Sequence, residues 1–260
     1  LLDIYVINQP PSIPNIGDKM SREQFPDITF SDRLYKNLGN GKFEDYTEKS
    51  NLRNFAFGLS ATTGDFNNDG WQDIYVSNDF DVADHVYINQ QDGTFKDEVR
   101  TTTKHISNFS MGNDIADYDN DGNLDVMVVD MVAEDHKRIK TNMSGMNPEQ
   151  FWSIVNKGGH YQYMFNTLQR NNGNGTFSEL GQLAGVTSTD WSWAPLFADF
   201  DNDGFKDLFV TNGVVYNNRY SDLTTKYDKK VDSINKVAHQ KGLNPNTMMD
   251  VMDFVKMAPT

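Results

Sequence analysis

The sequence predicts an all-β fold assembled from repeated four-stranded units, with one helical insertion and a helical C-terminal tail. Three observations predict it: an Asp-rich nonapeptide that occurs three times before a short apolar run, a strand-turn-strand signature that follows each run, and a constant spacing between the two.

The nonapeptides are Asp65-Phe66-Asn67-Asn68-Asp69-Gly70-Trp71-Gln72-Asp73, Asp117-Tyr118-Asp119-Asn120-Asp121-Gly122-Asn123-Leu124-Asp125 and Asp199-Phe200-Asp201-Asn202-Asp203-Gly204-Phe205-Lys206-Asp207. Each places oxygen donors at positions 1, 3, 5 and 9, with a glycine at position 6 for a sharp bend and a backbone carbonyl available at position 7, from Trp71, Asn123 or Phe205. Hard oxygen donors in a flexible loop are the ligand set of Ca2+, whereas zinc or copper would call for Cys or clustered His, and the chain has no Cys. Turn chemistry without an ion explains one such loop, since Asp, Asn and Gly favour tight turns, but not three in register. An EF-hand would need a Glu at position 12, where this chain has Val76, Val128 and Val210 inside β-type runs.

The hairpin signature reads Leu34-Tyr35-Lys36-Asn37 to Phe43, Val86-Tyr87-Ile88-Asn89 to Phe95, and Leu168-Gln169-Arg170-Asn171 to Phe177, each with an Asn/Asp-Gly turn between strands. From the hairpin Phe to the next loop Asp is 22 residues every time, while the stretch from loop position 9 to the hairpin Asn varies from 16 to 46 residues. All length variation thus falls in one connection. A four-stranded unit of this period has the length of a propeller blade. In a meander of strands 59–64, 74–78, 85–89 and 94–99, alternate connections lie at opposite sheet ends, so the acidic loops share one face and the variable connections share the other.

The longest insertion, about 131–162, reads as helical. Residues 133–143 make a first helix, and Asn147-Pro148-Glu149-Gln150 supplies an N-cap and a first-turn proline for a second that ends at Gly158-Gly159. The tail, 214–260, carries apolar residues at helical spacing in 222–240 and a second helix start at Asn244-Pro245, and reads as an extension or linker. Leu1 aligns with position 7 of a loop, which reads the chain as a fragment.

The net charge of −14 excludes the clustered basic surface that nucleic acid requires. Eleven of the carboxylates belong to the loops, and no apolar run is long enough to span a bilayer. Calcium modules of modest affinity suit a calcium-rich exterior, which points to an extracellular or outer-membrane surface location.

The run from Phe57-Gly58-Leu59 through Asp65–Asp73 to Ile74-Tyr75-Val76 resembles the FG-GAP repeat of integrin alpha-subunit propellers, and is similar to the VCBS-type repeats of bacterial surface proteins and of cartilage acidic protein. The resemblance covers about residues 1–213 and implies a partial calcium-bearing β-propeller. It implies about three Ca2+ ions, ligated by Asp65, Asn67, Asp69 and Asp73 and their counterparts. Phe-Gly is complete only in the first unit, with Met111-Gly112 and Trp193-Ala194 read as standing in its place later. Three units and a part do not close a ring, so a longer chain or a complex is expected to complete it.

No histidine pair or nucleophile arrangement suggests catalysis, and the clustered aspartates are taken up as ligands. The expectation is a non-enzymatic module for protein or glycan binding and adhesion, the alternative an accessory or catalytic domain of a polysaccharide-acting enzyme. Candidate ligand contacts on the variable face are Trp152, Tyr161, Tyr163, Trp191 and Trp193, flat aromatics suited to sugars or a protein anchor. For Trp191 and Trp193, filling the gaps between units is the competing role.

Overall fold

The computed structural model describes residues 1–9, 30–80, 82–142 and 146–213, with Lys229 and Lys236. The chain opens with β1 (Ile4–Val6), β2 (Arg33–Gly39) and β3 (Lys42–Asp45), then the one-turn helix α1 (Thr47–Ser50). Next come β4 (Phe57–Gly64), β5 (Asp73–Asp79), β6 (His85–Asn89), β7 (Phe95–Asp97), the turn α2 (Val99–Thr102) and β8 (Ile106–Ser107). After β9 (Gly112–Ala116), β10 (Asp125–Val129) and β11 (Met131–Val132) the insertion holds α3 (His136–Asn142), α4 (Pro148–Asn156) and β12 (Gln162–Tyr163). The chain continues through β13 (Thr167–Asn171), β14 (Phe177–Glu179), the turn α5 (Gly181–Ala184), β15 (Asp190–Ala198) and β16 (Asp207–Asn212).

These strands form successive antiparallel meanders, β1-β2-β3, β4-β5-β6-β7 and β9-β10-β13-β14, followed by β15-β16 with β11 added to its edge. The all-β blade architecture is as the repeat spacing predicts. A short parallel pair, β8 with β12, joins the 22-residue connector to the insertion, so both connection types do share one face. The chain divides into two compact units, one of residues 1–132 with 146–212 and one of 133–145 with 213–260. All the described strands lie in the first, and α3 is the described helix of the second. The helices expected in the tail fall outside the described residues apart from Lys229 and Lys236, which are helical.

The core lies between blades. Along β5, Ile74 and Val76 pack with Leu34 and Leu52 toward the first blade, while Tyr75 points the other way, into a cluster with Val126, Val128 and Phe177 of the third. Along β10, Val126 and Val128 face back, and Met127 and Val129 join Leu168 and the partly buried Leu208 and Val210 of the fourth. Burial on both faces is why these second strands read as continuous apolar runs rather than alternating ones.

In the strands of the blades the structure differs from the sequence expectation in two respects. The fourth strand of the second blade ends at Asp97 rather than at 99, because Asp97 Oδ1 accepts from Val99 N (3.2 Å) and starts α2. Asp45 to Thr47 N (3.1 Å) and Glu179 to Gly181 N (2.5 Å) do the same before α1 and α5, so a one-turn helix is part of every constant connector. The second difference is register. Ser60, Gly112 and Ala194 pair with Ser77, Val129 and Thr211, each four residues past loop position 9. Phe109-Ser110 and Trp191-Ser192, not Met111-Gly112 and Trp193-Ala194, therefore stand where Phe57-Gly58 does. Gly112 serves a different purpose, since a Cβ there would sit 2.3 Å from the Trp193 carbonyl oxygen, and its absence lets β9 and β15 approach.

Candidate metal centre

Each Asp-rich nonapeptide turns tightly between the first and second strands of its blade. Position 4 takes the left-handed backbone region in all three loops (Asn68, Asn120 and Asn202, φ 58°, 60° and 61°), as does the glycine at position 6. Asparagine and glycine tolerate this region better than other residues, which explains their recurrence.

The hydrogen bonds repeat as closely. The position 1 carboxylates Asp65, Asp117 and Asp199 accept from the backbone N–H of positions 5 and 6, at 2.7–3.0 Å. The position 5 carboxylates Asp69, Asp121 and Asp203 accept from the N–H of Trp71, Asn123 and Phe205 at position 7, at 2.8–2.9 Å. Gathered at the centre are positions 1, 3 and 9. Oxygens of Asp117, Asp119 and Asp125 lie within 4.8 Å of one another, as do those of Asp199, Asp201 and Asp207. In the first loop Asn67 holds position 3, and its amide donates to Asp69 (3.1 Å).

Position 9 has a second role that the spacing did not reveal. Asp73 accepts from Phe66 N (2.9 Å) and Asn89 N (2.8 Å), and Asp125 from Tyr118 N (3.1 Å) and Asn171 N (2.8 Å). Asp3 and Asn37 form the same link in the first blade (2.8 Å). This carboxylate fastens the loop to the third strand, and the Asn of the hairpin signature adds its own side-chain link, its amide donating to the carbonyl at loop position 8 (Leu2, Gln72 and Leu124, at 2.8, 3.1 and 3.2 Å) while its Oδ1 accepts from the hairpin turn. Burial pushes both Asp73 and Asp125 up to about 6, and the neighbouring loop carboxylates add to it. The exposed position 5 groups move the other way: the Gln91 amide and Trp71 N–H lower Asp69, and the Asn123 backbone and side-chain N–H groups lower Asp121.

The donor set fits a hard divalent cation. It is all oxygen, its carboxylates crowd together at mutually repulsive distance, and Asp119 Oδ1 is a buried atom with no hydrogen-bond partner, which an ion would satisfy. Arg170, from the third strand, approaches the same loop at 3.0 Å from Asp119 and 3.7 Å from Asp121. Adjacent loops also touch: the Asn68 amide donates to Asn123 (2.9 Å), and that of Asn120 to the Gly204 carbonyl (3.0 Å).

The aromatics sort differently. Trp152 and Tyr161 are exposed, and Phe151 lies between them with ring centroids at 5.2 and 6.2 Å. Tyr163 stacks on Phe151 (5.4 Å) and on Phe165 (5.7 Å), making a continuous ladder from α4 through β12. The α4 end of this ladder is set as its sequence predicts, with Asn147 Oδ1 accepting from Glu149 N and Gln150 N (2.9 and 3.3 Å). Trp191 is buried at the β11–β15 pairing, which withdraws it from any contact face, whereas Trp193 is exposed on the fourth blade, away from the ladder's ring contacts. Histidines have structural partners instead: His85 pairs with Asp97 (2.7 Å) and His105 with Glu179 (3.5 Å).

A family model for the FG-GAP-like repeat matches residues 1–76, 65–128 and 152–210. No curated protein matches the chain.

Proposed function

The chain belongs to the FG-GAP-like repeat family, and from that premise we propose a calcium-stabilised β-propeller module of a secreted or surface-attached protein, binding a protein or glycan through the face opposite its loops. The observation that carries the calcium assignment is the pair of three-carboxylate clusters, one containing an orphaned buried oxygen. In this reading each loop takes one Ca2+ through side chains at positions 1, 3, 5 and 9 and the position 7 carbonyl, about three ions in all. Calcium is favoured over magnesium because magnesium keeps most of its waters and uses few carboxylates. The ion supplies charge neutralisation, and the chain's residues do the rest: they hold the turn, bridge it to the third strand and transmit its rigidity to the blade.

The binding face rests on the exposed rings of Trp152 and Tyr161, backed by the partly buried Tyr163, which lie on the connection that tolerates length change. Residues 1–213 form the blade region and 214–260 an extension in this reading. Among the described residues no helix is long and apolar enough to cross a membrane. The test is a screen against glycans and surface proteins in calcium, repeated with Trp152→Ala and Tyr161→Ala. Loss of binding with unchanged melting supports the assignment, and undiminished binding moves the site elsewhere.

A further inference from the structure

Position 4 of each loop needs a residue that tolerates the left-handed backbone, and glycine would meet that need as well as asparagine does. The asparagine amide does something glycine cannot: those of Asn68 and Asn120 reach across to the next loop, 55 and 84 residues along the chain. Asn68 Nδ2 donates to Asn123 Oδ1 (2.9 Å), at position 7 of that loop. Asn123 in turn donates to Asp121 Oδ1 through both its backbone N–H and its side-chain amide, each at 2.9 Å. Its side chain is further confined by the hairpin turn of its own blade, where a Cβ on Gly173 would lie 3.2 Å from Asn123 Oδ1.

At the next junction the acceptor changes and the end point does not. Position 7 of the loop 199–207 is Phe205, which offers no side-chain oxygen, and the Asn120 amide donates instead to the Gly204 carbonyl (3.0 Å). That carbonyl belongs to the same planar peptide unit as the Phe205 N–H, which donates to Asp203 Oδ1 at 2.8 Å. At both junctions a position 4 amide therefore grips a group that holds the neighbouring loop's position 5 carboxylate.

We propose that Asn68 and Asn120 are positioning residues for Asp121 and Asp203, ion ligands of the following loop, so that the three loops take up Ca2+ as a coupled set. The inference rests on the calcium reading. Hydrogen bonds that orient a ligand from outside the coordination sphere typically carry about 10–100-fold of metal affinity. A loop drawn tight around its ligands fixes its position 4 amide, so part of the ordering that its neighbour needs is already made. The effect is reciprocal by linkage: filling the loop 199–207 favours filling of 117–125 as much as the reverse. The middle loop is joined on both sides and responds to either neighbour.

A chelator-competition calcium titration of the full chain tests this by double-mutant cycles, in about 0.15 M salt, where repulsion between ions is screened beyond about 8 Å. Asp203→Ala removes a ligand from the loop 199–207 and is expected to weaken calcium at the remaining loops by about 5-fold or more, the low end of typical coupling between sites. In an Asn120→Gly background the same substitution is expected to leave those loops unchanged. Asp69→Ala with Asn68→Gly repeats the cycle across the other junction. Glycine keeps the left-handed turn and removes only the exposed amide, so melting in chelator is expected to stay within about 2 °C of the wild type. An Asp203→Ala effect confined to its own loop, or one equally large with and without the Asn120 amide, overturns the proposal while the calcium reading stands. A chain that binds no calcium overturns both.

Discussion

Asp121 and Asp125 lie in one loop but in different surroundings, and replacing each by alanine separates the metal's contribution from the protein's own. Asp125 is buried and accepts from two backbone donors, Tyr118 N and Asn171 N. Removing its carboxylate strands both, at about 1–3 kcal/mol each, or about 2–6 kcal/mol together with or without an ion. For a domain of this size 1 kcal/mol moves the melting temperature by about 2–4 °C, so Asp125→Ala lowers it by roughly 4–24 °C even in chelator. Asp121 is exposed and bonds only within the loop and toward Arg170. In chelator Asp121→Ala changes stability by less than about 0.5 kcal/mol. In calcium at 100 times the dissociation constant, a ligand of the folded state adds about 2.7 kcal/mol, and Asp121→Ala forfeits much of it, a drop of roughly 5–10 °C. Differential scanning calorimetry of both variants with calcium and with chelator reads all four values. An Asp121→Ala effect that is the same in both buffers refutes the reasoning, because the loop would then be an ordinary turn.

Three further outcomes follow from the packing. Gly112→Ala pushes a methyl group onto the Trp193 carbonyl, so β9 and β15 must separate; it costs about 1–3 kcal/mol in a denaturant titration, and an unchanged midpoint would show that the strands do not meet there. Burial pushes Asp84 up to about 7 despite hydrogen bonds from Asn78 N, Tyr75 and Ser110. Between about pH 4 and 7 the folded state therefore holds a proton that the unfolded chain has released, and stability falls as pH rises through this window. Asp84→Asn is expected to flatten that slope in a pH series of melts run in chelator, and an unaltered slope assigns it to another group. Trp152→Ala together with Tyr161→Ala is expected to shift stability by less than about 0.5 kcal/mol per site, so a large drop in melting temperature would place these rings in a core rather than on a contact face.

Much of this was legible in the sequence because local chemistry dictated it. The left-handed position 4, the glycine at 6 and the recurring carboxylates can be satisfied by few other residues, and the Asn147-Pro148 start of α4 is a purely local signal. What escaped were relations across strands. The irregular register between Ser192 and Ala194 breaks strand alternation, so counting could not tell that Trp191 turns inward and Trp193 outward. The alignment of Phe57-Gly58 with Phe109-Ser110 and Trp191-Ser192 was countable, each pair starting eight residues before its loop. The bridge from Asp125 to Asn171 spans 46 residues, and only the folded blade brings its ends together. The same holds for the buried partners Asn78 with Asp84 and Asp130 with Asn166, where acid and amide exchange places between blades while the backbone N–H bond to the second residue is kept at 2.9 and 2.7 Å.

Metal analysis of exhaustively dialysed protein, paired with a calorimetric calcium titration of the chelator-stripped chain, measures the central claim directly. The predicted result is about three Ca2+ per chain, with the Asn67-containing loop the weakest because it carries one carboxylate fewer. No bound calcium, or zinc in its place, would contradict it.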